Sequence, residues 1–399
     1  MTGATIDPPE LEDDVSDYDL DEGESLTLET IADLVLYTLD WSVASLLERI
    51  GTSFDINPMF QRRDAWNTER KSLYIESLIV GLPVPQIVLA EDPAHKGRFI
   101  VLDGKQRLIT IKQFAAPDEK YPGFKLRKLE FARDAAGMNF QDMQESLTAS
   151  ELAESFLAQP IRTIVVRNWR DPAVLYQVFV RLNQGSVALS PQELRQALFP
   201  SEFTEWVNTR SAESEPIHRA RRTKKADFRM RDAEMLLRYL AFQLDLEGYR
   251  GVLRQFLDDA CKREGSNWAK NGSDFYNDLA SRCEQAIERT FAVFDREAFM
   301  RFERDTYNRR FNIAVFDTMT AVLGDPALSD DELVAHREGI KLAFEDLCTT
   351  DTVFADSLQS TTKSIGATGE RLRRFGVRVA ELVGHPLDIV GRAEALLTR

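Results

Sequence analysis

The feature that most constrains the fold is a change of periodicity near residue 200. Before Phe199, short apolar runs with β-prone composition alternate with stretches at helical spacing. After Phe199, strand alternation is absent and apolar residues recur three and four positions apart, as on one face of a helix. No fixed-length repeat accompanies this spacing, so a solenoid is not expected. The pattern predicts an α+β chain in which an all-α helical region follows a domain with a small sheet.

The sheet of the first half is predicted from short β-prone runs. They are residues 33–42, 86–90, 99–102 and 161–166. The second and third runs are separated by a polar connector that contains Pro and Gly, which is typical of a hairpin. Helical spacing follows the first run at 43–50 and recurs at 172–182, so strands and helices are expected to alternate along this half.

Two further helix starts can be placed from capping residues. Thr68 is a good N-cap for a helix that ends at Gly81. The apolar face of this helix is expected to consist of Leu73, Tyr74, Leu78 and Ile79. Residues 190–193 read Ser-Pro-Gln-Glu, which combines an N-cap serine with proline at the first helical position and glutamate at the third. A helix is therefore predicted to start at Pro191.

The net charge of −15 belongs almost entirely to the first part of the chain. Residues 1–48 carry fourteen carboxylates and neither Lys nor Arg, which leaves 51 acidic against 50 basic residues in the remainder. We expect residues 1–30 to be an acidic disordered tail, because a block of like charge with few aromatics cannot bury enough surface to order itself. Residues 31–200 and 201–399 are the two expected domains. Because the remainder is nearly neutral, the negative net charge of the chain does not exclude nucleic-acid binding.

Several classes of protein are excluded by what the sequence lacks. No apolar run is long enough to span a bilayer, and no apolar leader is present, so a cytoplasmic protein without a membrane partner is expected. Three Cys and four His are scattered, which leaves no zinc motif and no His-rich nuclease motif. Neither the P-loop nor the dinucleotide-binding glycine motif occurs. We therefore expect no metal site built from side chains alone.

The most informative segment is the turn at residues 103–107, Asp-Gly-Lys-Gln-Arg, which joins a predicted strand to a predicted helix. The first turn of a helix offers unpaired N–H groups and partial positive charge, so a glycine turn leading into it can bind an anion. Gly104 allows close approach of the backbone, and Lys105 and Arg107 can contact phosphate. Asp103 can hold a hydroxyl, a water or a metal ion. The alternative is an ordinary turn with a basic pair at the surface.

Three other groups of polar residues are candidates for function. Gln61 and Arg62 follow an extended segment and either reach the turn from across the fold or belong to a solvated loop whose Trp66 caps the core. Asn183 either ends a helix or contributes to a site. The stretch 218–231 is strongly basic and contains one acidic residue, Asp227. Its candidate phosphate-binding residues are Arg219, Arg221, Arg222, Lys224 and Lys225. A solvated linker is the competing interpretation of this stretch.

A metal-dependent nuclease is a further possible function of the chain. Asp92, Asp103 and Lys105 imitate the spacing of enzymes that use an Asp together with an Asp/Glu-x-Lys motif. Those enzymes need the second carboxylate and the lysine on one face of a strand, whereas Gly104 is expected to end the strand between them.

Several of these segments, taken in order, resemble one family, the N-terminal domain of GmrSD-type restriction enzymes, which belongs to the ParB/sulfiredoxin-like superfamily. The resemblance covers roughly residues 34–200. It rests on Asn57-Pro58 to Gln61-Arg62 with Trp66, on Gly81 to Pro85, on Val101 to Leu108, and on Phe179 to Asn183 with Leu189 to Leu194. The helical region after residue 229 is more loosely similar to the region that follows this domain in the family.

The resemblance implies roles for individual residues. The family's Asp-Gly-Gln-Gln-Arg motif, associated with binding and hydrolysis of nucleoside triphosphates, falls on residues 103–107, with Lys105 in place of the first glutamine. Asp103, Gln106 and Arg107 would then act in catalysis. Gln61, Arg62, Gly104, Lys105 and Asn183 would bind the nucleotide, together with Mg²⁺. The His-Asn-His nuclease domain of full-length members has no counterpart among the scattered histidines, so a separate nuclease subunit is an implied partner.

The resemblance therefore leads us to expect a nucleotide-binding regulatory module of a bacterial restriction or anti-phage system, with triphosphate hydrolysis as an activity to be tested. The alternative function is a non-catalytic adaptor that binds DNA or protein.

Overall fold

The computed structural model describes residues 33–55, 66–182, 190–227, 229–359 and 364–398. These residues form two compact units that divide after Leu198. Within the described residues, no helix is both long and apolar enough to cross a membrane.

The described residues of the N-terminal unit form five strands. They are β1 (Val35–Ser42), β2 (Phe54–Asp55), β3 (Ile87–Glu91), β4 (Phe99–Asp103) and β5 (Pro160–Arg167). Seven helices are described in the same unit. They are α1 (Val43–Arg49), α2 (Thr68–Ile79), α3 (Lys105–Ala115), α4 (Phe140–Glu145), α5 (Ser150–Ala158), α6 (Pro172–Leu182) and α7 (Pro191–Leu198).

The five strands form one mixed sheet in the order β1-β5-β3-β4-β2. β1 runs antiparallel to β5, and β3 runs parallel to β5. β3 and β4 form the predicted antiparallel hairpin, while β2 adds to β4 in parallel. At the β1 edge, Asp40 and Arg162 are register partners and form a two-bond ion pair at 2.8 and 3.0 Å. β4 lies inside this sheet and ends at Asp103, and the helix α3 begins two residues later at Lys105.

Both faces of the sheet are covered, because side chains alternate along each strand. Ile87 and Leu89 of β3 pack into a large core with the helices α1 to α5. Val88 and Ala90 of the same strand face a smaller core with α6 and α7. This burial on both faces explains why β3 reads as a continuous apolar run rather than an alternating one.

The structure changes two details of the predicted helix at 68–81. The N-cap is Asn67 and not Thr68, since the Asn67 side chain accepts a hydrogen bond from the backbone N–H of Arg70 at 2.9 Å. Thr68 is instead the first helical residue. Leu73 lies on the exposed side of α2, and Ile75 takes its place in the core. Both residues are apolar, so spacing alone did not separate the buried face from its neighbour.

The predicted helix start at residue 190 is confirmed. The Ser190 N–H donates to Glu193 Oε2 at 2.6 Å, and the Glu193 N–H donates to Ser190 Oγ at 3.0 Å. These reciprocal bonds satisfy two backbone donors that would otherwise be unpaired at the start of α7.

The C-terminal unit is built almost entirely from helices. They are α8 (Glu202–Ala212), α9 (Glu215–Arg221), α10 (Arg231–Asp245), α11 (Leu253–Phe294), α12 (Ile313–Leu323), α13 (Asp330–Thr350), α14 (Thr352–Ser357), α15 (Ile365–Val383) and α16 (Asp388–Leu397). α11 is broken at Gly272, whose backbone is not helical (φ 76°, ψ 161°). A short ribbon, β6 (Phe302–Glu303) with β7 (Thr306–Tyr307), is the exception that the sequence pattern did not predict.

A buried ion-pair cluster lies inside this helical unit. Asp317 of α12 accepts hydrogen bonds from both Nε and Nη2 of Arg238, and Arg371 Nη2 lies 3.6 Å from the same carboxylate. All three side chains are almost fully buried. The cluster joins α10, α12 and α15, and the Asp317 carboxylate offsets part of the positive charge of the two guanidinium groups within the core.

Candidate functional site

The predicted anion site lies where β4 runs directly into α3. The strand ends at Asp103, Gly104 adopts a left-handed conformation (φ 98°, ψ 10°) as the N-cap, and the helix starts at Lys105. Gly104 has no side chain, and no side-chain hydrogen bond caps this helix in the described part of the chain. The N–H groups of the first turn are therefore available to a ligand.

Gly104 is required here for two independent reasons. Its positive φ is costly for residues with a Cβ atom. A Cβ atom at this position would also lie 3.0 Å from Ile87 Cγ1 and 3.2 Å from both Nε and Nη2 of Arg107. The glycine thus lets the Arg107 guanidinium pack directly against the turn.

Arg107 is buried and is held by the first residue of the motif. Its Nη2 donates a hydrogen bond to Asp103 Oδ2 at 2.8 Å, and the two side chains are 8% and 19% exposed. Arg107 Nε is also buried, and it has no hydrogen-bond partner among the described residues. Asp103 therefore fixes the guanidinium in place while one of its donors remains unused.

Tyr74 of α2, which helical spacing places only on a core face, packs in the same core as Leu108 of α3, and the charge of the preceding residue, Arg107, reaches its hydroxyl. The side chain is 7% exposed, and its hydroxyl has no hydrogen-bond partner within the described residues. Burial raises the pKa of Tyr74 far above its ordinary value, and the positive charge of Arg107 partly opposes that rise. The hydroxyl is therefore neutral and can donate a hydrogen bond. Its ring contacts Trp66 edge to face, with centroids 5.6 Å apart.

The remaining motif residues lie on the first turn of α3. Lys105 and Gln106 are both partly exposed, and Lys105 makes interactions of its own. The Gln106 Oε1 atom is buried and lacks a hydrogen-bond partner in the described parts of the chain. The structure therefore brings all five residues from Asp103 to Arg107 to one turn. Three other candidates, Gln61, Arg62 and Asn183, lie outside the described residues.

A pocket of about 890 Å³ opens at the other end of α3. Its lining includes Thr68, Phe114, Lys125, Asn139 and Gln144. Since α3 rises about 1.5 Å per residue, this pocket lies roughly 15 Å from the turn at Gly104. It does not contain the residues of the motif, and the two features are separate.

The nuclease interpretation does not survive the strand register. Asp103 pairs with Val88, whereas Glu91, which precedes Asp92, pairs with Phe99 at the opposite end of the hairpin. Asp92 and Asp103 are thus separated by about four residue steps, or roughly 14 Å, which is too far for one metal ion. Asp92 instead forms an ion pair with His95 at 2.9 Å.

The basic stretch of the C-terminal unit is only partly at the surface. Arg221 is 3% exposed and lies over the ring of Phe311, so it does not face solvent as a phosphate contact would require. Arg219 is half exposed and forms an ion pair with Glu288 at 2.7 Å. Lys224 and Lys225 are exposed, as the surface interpretation of this stretch expects.

Arg222 lies in a cluster of basic residues that the sequence order did not reveal. Its Nη2 donates to the backbone carbonyl of Arg296 at 2.8 Å. Partial burial lowers the pKa of Arg222, and the nearby charges of Arg309 and Arg296 lower it further. Arg296 and Arg309 are both exposed. Arg222 is thus brought near Arg296 and Arg309, which lie more than about 70 residues further along the chain.

The described residues do not provide a dedicated metal site. No group of three or more His, Cys, Asp or Glu side chains among them is arranged to hold a metal ion. Asp103 is the carboxylate at the turn, and its Oδ2 atom is engaged by Arg107.

Comparison with known proteins identifies the N-terminal part of the chain. Residues 43–200 match the family described as the GmrSD restriction endonuclease, N-terminal domain. Neither the curated proteins nor the solved structures contain a match to the chain. The matched segment holds the whole turn from Asp103 to Arg107, and the family's description supports a role in a DNA restriction or defence system. Over residues 43–200, less than half of its length, the chain is therefore similar to the GmrSD N-terminal domain.

Proposed function

We propose that the N-terminal domain binds a nucleoside triphosphate at the β4–α3 turn and thereby regulates a DNA restriction or defence system. The observation that carries this proposal is the uncapped start of α3 at Gly104, with the buried Arg107 packed against it. An open helix N-terminus and a fixed guanidinium are both complementary to phosphate. The same turn offers two kinds of donor to one ligand.

The phosphate chain would lie over the first turn of α3. Backbone N–H groups there point along the helix axis, and the helix dipole adds partial positive charge. Arg107 would contribute charge from a buried position, where the local dielectric strengthens its attraction to an anion. Lys105 at the first helical position would add a second, more mobile charge. Asp103 would act through Arg107 by fixing its orientation.

Hydrolysis would require a group that positions the attacking water. Gln106 is suited to this role because its buried Oε1 is an acceptor whose hydrogen bond is not made by any described residue. By family resemblance, Gln61, Arg62 and Asn183 would also contribute to nucleotide binding. A Mg²⁺ ion would arrive with the triphosphate and neutralise part of its charge.

Equilibrium binding separates this proposal from a purely structural role for the turn. The full-length chain would be titrated with ATP, GTP and CTP, each with Mg²⁺, by calorimetry. Arg107→Ala is expected to abolish binding, whereas Arg98→Ala, an exposed arginine at the opposite end of β4, is expected to bind as the original protein does. Equal affinity of Arg107→Ala and Arg98→Ala for the preferred nucleotide would refute the assignment.

Phosphate release then distinguishes binding from turnover. If Gln106 positions the water, Gln106→Ala should reduce turnover while nucleotide affinity changes little. The assay would be run with and without DNA, because a regulatory role predicts that DNA changes the rate. A variant that loses affinity and turnover to the same degree would assign Gln106 to binding instead.

A second candidate function is DNA binding by the helical unit, as expected for an adaptor. The cluster of Arg222, Arg296 and Arg309 favours it, because adjacent positive charges repel one another until a polyanion neutralises them. Exposed Lys224 and Lys225 would extend the contact. Duplex DNA binding should weaken with salt, and Arg296→Ala with Arg309→Ala should reduce the slope of log affinity against log salt by about two. An unchanged slope in the double variant would exclude this cluster from the contact.

A further inference from the structure

We infer that the Tyr74 hydroxyl is a ligand-binding group of the β4–α3 turn, and that it donates a hydrogen bond to an anionic phosphate oxygen held by Arg107. This inference rests on the nucleotide site proposed above and adds a residue from α2, outside the motif at 103–107. Nothing in the spacing of the sequence singles out Tyr74, which is one apolar-face residue of a helix. Its role depends on what its hydroxyl meets in the folded domain.

The Tyr74 hydroxyl is buried and lacks a hydrogen-bond partner among the residues that the structure describes. Tyr74 is 7% exposed, and no described residue accepts from or donates to its oxygen. Removing a polar group from water without replacing its hydrogen bonds is unfavourable, so buried tyrosines usually find a partner. If the ring alone were needed in this core, phenylalanine would fill the same volume without that cost.

Tyr74 packs in the same core cluster as Leu108, which directly follows Arg107 on α3, and the guanidinium charge reaches the Tyr74 hydroxyl. Arg107 Nε is itself buried without a partner among the described residues. Arg107 can only donate, and a neutral tyrosine donates readily. Two buried donors beside a positive charge are complementary to an anionic oxygen rather than to a cation or an apolar group.

Arg107 also lies directly at the start of α3. The Arg107 guanidinium lies against Gly104, since a Cβ atom there would be 3.2 Å from its Nε and Nη2. The uncapped N–H groups of α3 begin at the same turn. An oxygen bound by Tyr74 and Arg107 would therefore belong to a ligand that also meets the helix N-terminus. A chain of linked phosphates satisfies both conditions.

The test uses Tyr74→Phe in the full-length chain, because this change removes only the hydroxyl. Its matched control is Tyr121→Phe, a second buried tyrosine of the same unit. Arg107→Ala serves as the variant that removes the proposed site. The probes are the preferred nucleoside triphosphate with Mg²⁺ and inorganic pyrophosphate. Each protein is measured for its dissociation constant and for its melting temperature without ligand.

The inference predicts that Tyr74→Phe binds both probes about tenfold more weakly, since a hydrogen bond to a charged group is lost. Its melting temperature without ligand should be equal to or above that of the original protein, because an unpaired buried hydroxyl has been removed. Tyr121→Phe should keep full affinity. A tyrosine whose hydroxyl only stabilised the fold would not combine weaker binding with an unchanged or higher melting temperature.

The remaining outcomes distinguish an error about Tyr74 from an error about the nucleotide site. Unchanged affinity in Tyr74→Phe, with binding lost in Arg107→Ala, would overturn the role of Tyr74 and leave the nucleotide site standing. A lowered melting temperature in Tyr74→Phe without ligand would show that its hydroxyl is structural, which also overturns the inference. Failure of the original protein to bind either probe would overturn the nucleotide site and the role of Tyr74 together.

Discussion

Arg107 donates a hydrogen bond to Asp103 across the turn between β4 and α3, with 2.8 Å between Nη2 and Oδ2. Both residues belong to the motif, yet only the arginine offers positive charge to a ligand. The carboxylate keeps the buried guanidinium in one orientation and reduces the cost of its burial. The pair therefore links the stability of the turn to its capacity to bind an anion.

The substitution Asp103→Ala tests this link between stability and anion binding. Asp103→Ala leaves a largely buried arginine without its counter-charge, so we expect a loss of about 3 kcal/mol in the free energy of unfolding together with loss of nucleotide binding. Chemical denaturation and calorimetry would measure the two effects. The control is Asp33→Ala, which removes an exposed pair with Arg170 at 2.6 Å and should change stability by about 0–1 kcal/mol. A stability equal to that of Asp33→Ala would contradict this account of the pair.

Substitution of Gly104 should damage the turn by two routes. Gly104→Ala places a Cβ atom at φ 98° and within 3.0 Å of Ile87, and we expect about 2 kcal/mol or more of destabilisation. Gly97→Ala is the matched control, because Gly97 has φ 84° and nothing within 4 Å of its Cβ position. It should cost about 1 kcal/mol. Denaturation curves that give equal losses for both variants would rule out the steric contribution at Gly104.

A buried carboxylate holds the long connection between α3 and α4 in place. Glu76 Oε1 accepts hydrogen bonds from the backbone N–H groups of Phe131 and Ala132 at 2.7 and 2.9 Å. Glu76→Ala leaves both donors without this acceptor, so a loss of about 2–4 kcal/mol in unfolding free energy is expected. Glu69→Ala, on the exposed side of the same helix, should change it by less than about 1 kcal/mol. A fully stable Glu76→Ala protein in urea denaturation would contradict this role.

The pair of His385 and Glu332 predicts a pH dependence in the helical unit. The Pro386 carbonyl and Glu332, whose carboxylate lies 3.1 Å from Nε2, raise the pKa of His385 above 6.5. Hydrogen bonds from Ser329, aided by His385, lower the pKa of Glu332 to about 2. Stabilisation from His385 is thus complete below about pH 6.5 and is lost as pH rises through the raised pKa. Stabilisation from Glu332 is present above about pH 4.5 and is lost as pH falls towards 2.

Proton NMR titration checks the upper part of this range. Glu332→Gln removes the carboxylate charge, so the pKa of His385 should fall towards 6.5 in the variant. The NMR signal of His385 would be assigned by its loss in His385→Gln. An identical titration curve for His385 with and without Glu332 would show that the ion pair contributes nothing to the shift.

The general position of the candidate site could be predicted from the sequence, because it depends on local chemistry. An apolar run followed by Asp103 and Gly104 marks the end of a strand, and helical spacing after Lys105 marks the start of a helix. The reciprocal bonds of Ser190 and Glu193 were predictable for the same reason. These features involve residues within four positions of one another, where spacing and capping preferences are informative.

The features that were missed depend on packing between distant segments. Tyr74 comes within range of the Arg107 charge because α2 and α3 pack in one core on the same face of the sheet. Arg222, Arg296 and Arg309 come together from separate parts of the helical unit. Conversely, the spacing of Asp92 and Asp103 suggested a shared metal ion, but the antiparallel register of β3 and β4 places them at opposite ends of the hairpin.

The most direct test of the central claim locates the ligand on the chain. Hydrogen–deuterium exchange of the full-length protein, with and without the preferred triphosphate and Mg²⁺, reports on the backbone N–H groups of residues 104–107. The account predicts slower exchange at these amides on addition of nucleotide, and no such change in Arg107→Ala. Nucleotide binding that protects other segments and leaves residues 104–107 unchanged would contradict it.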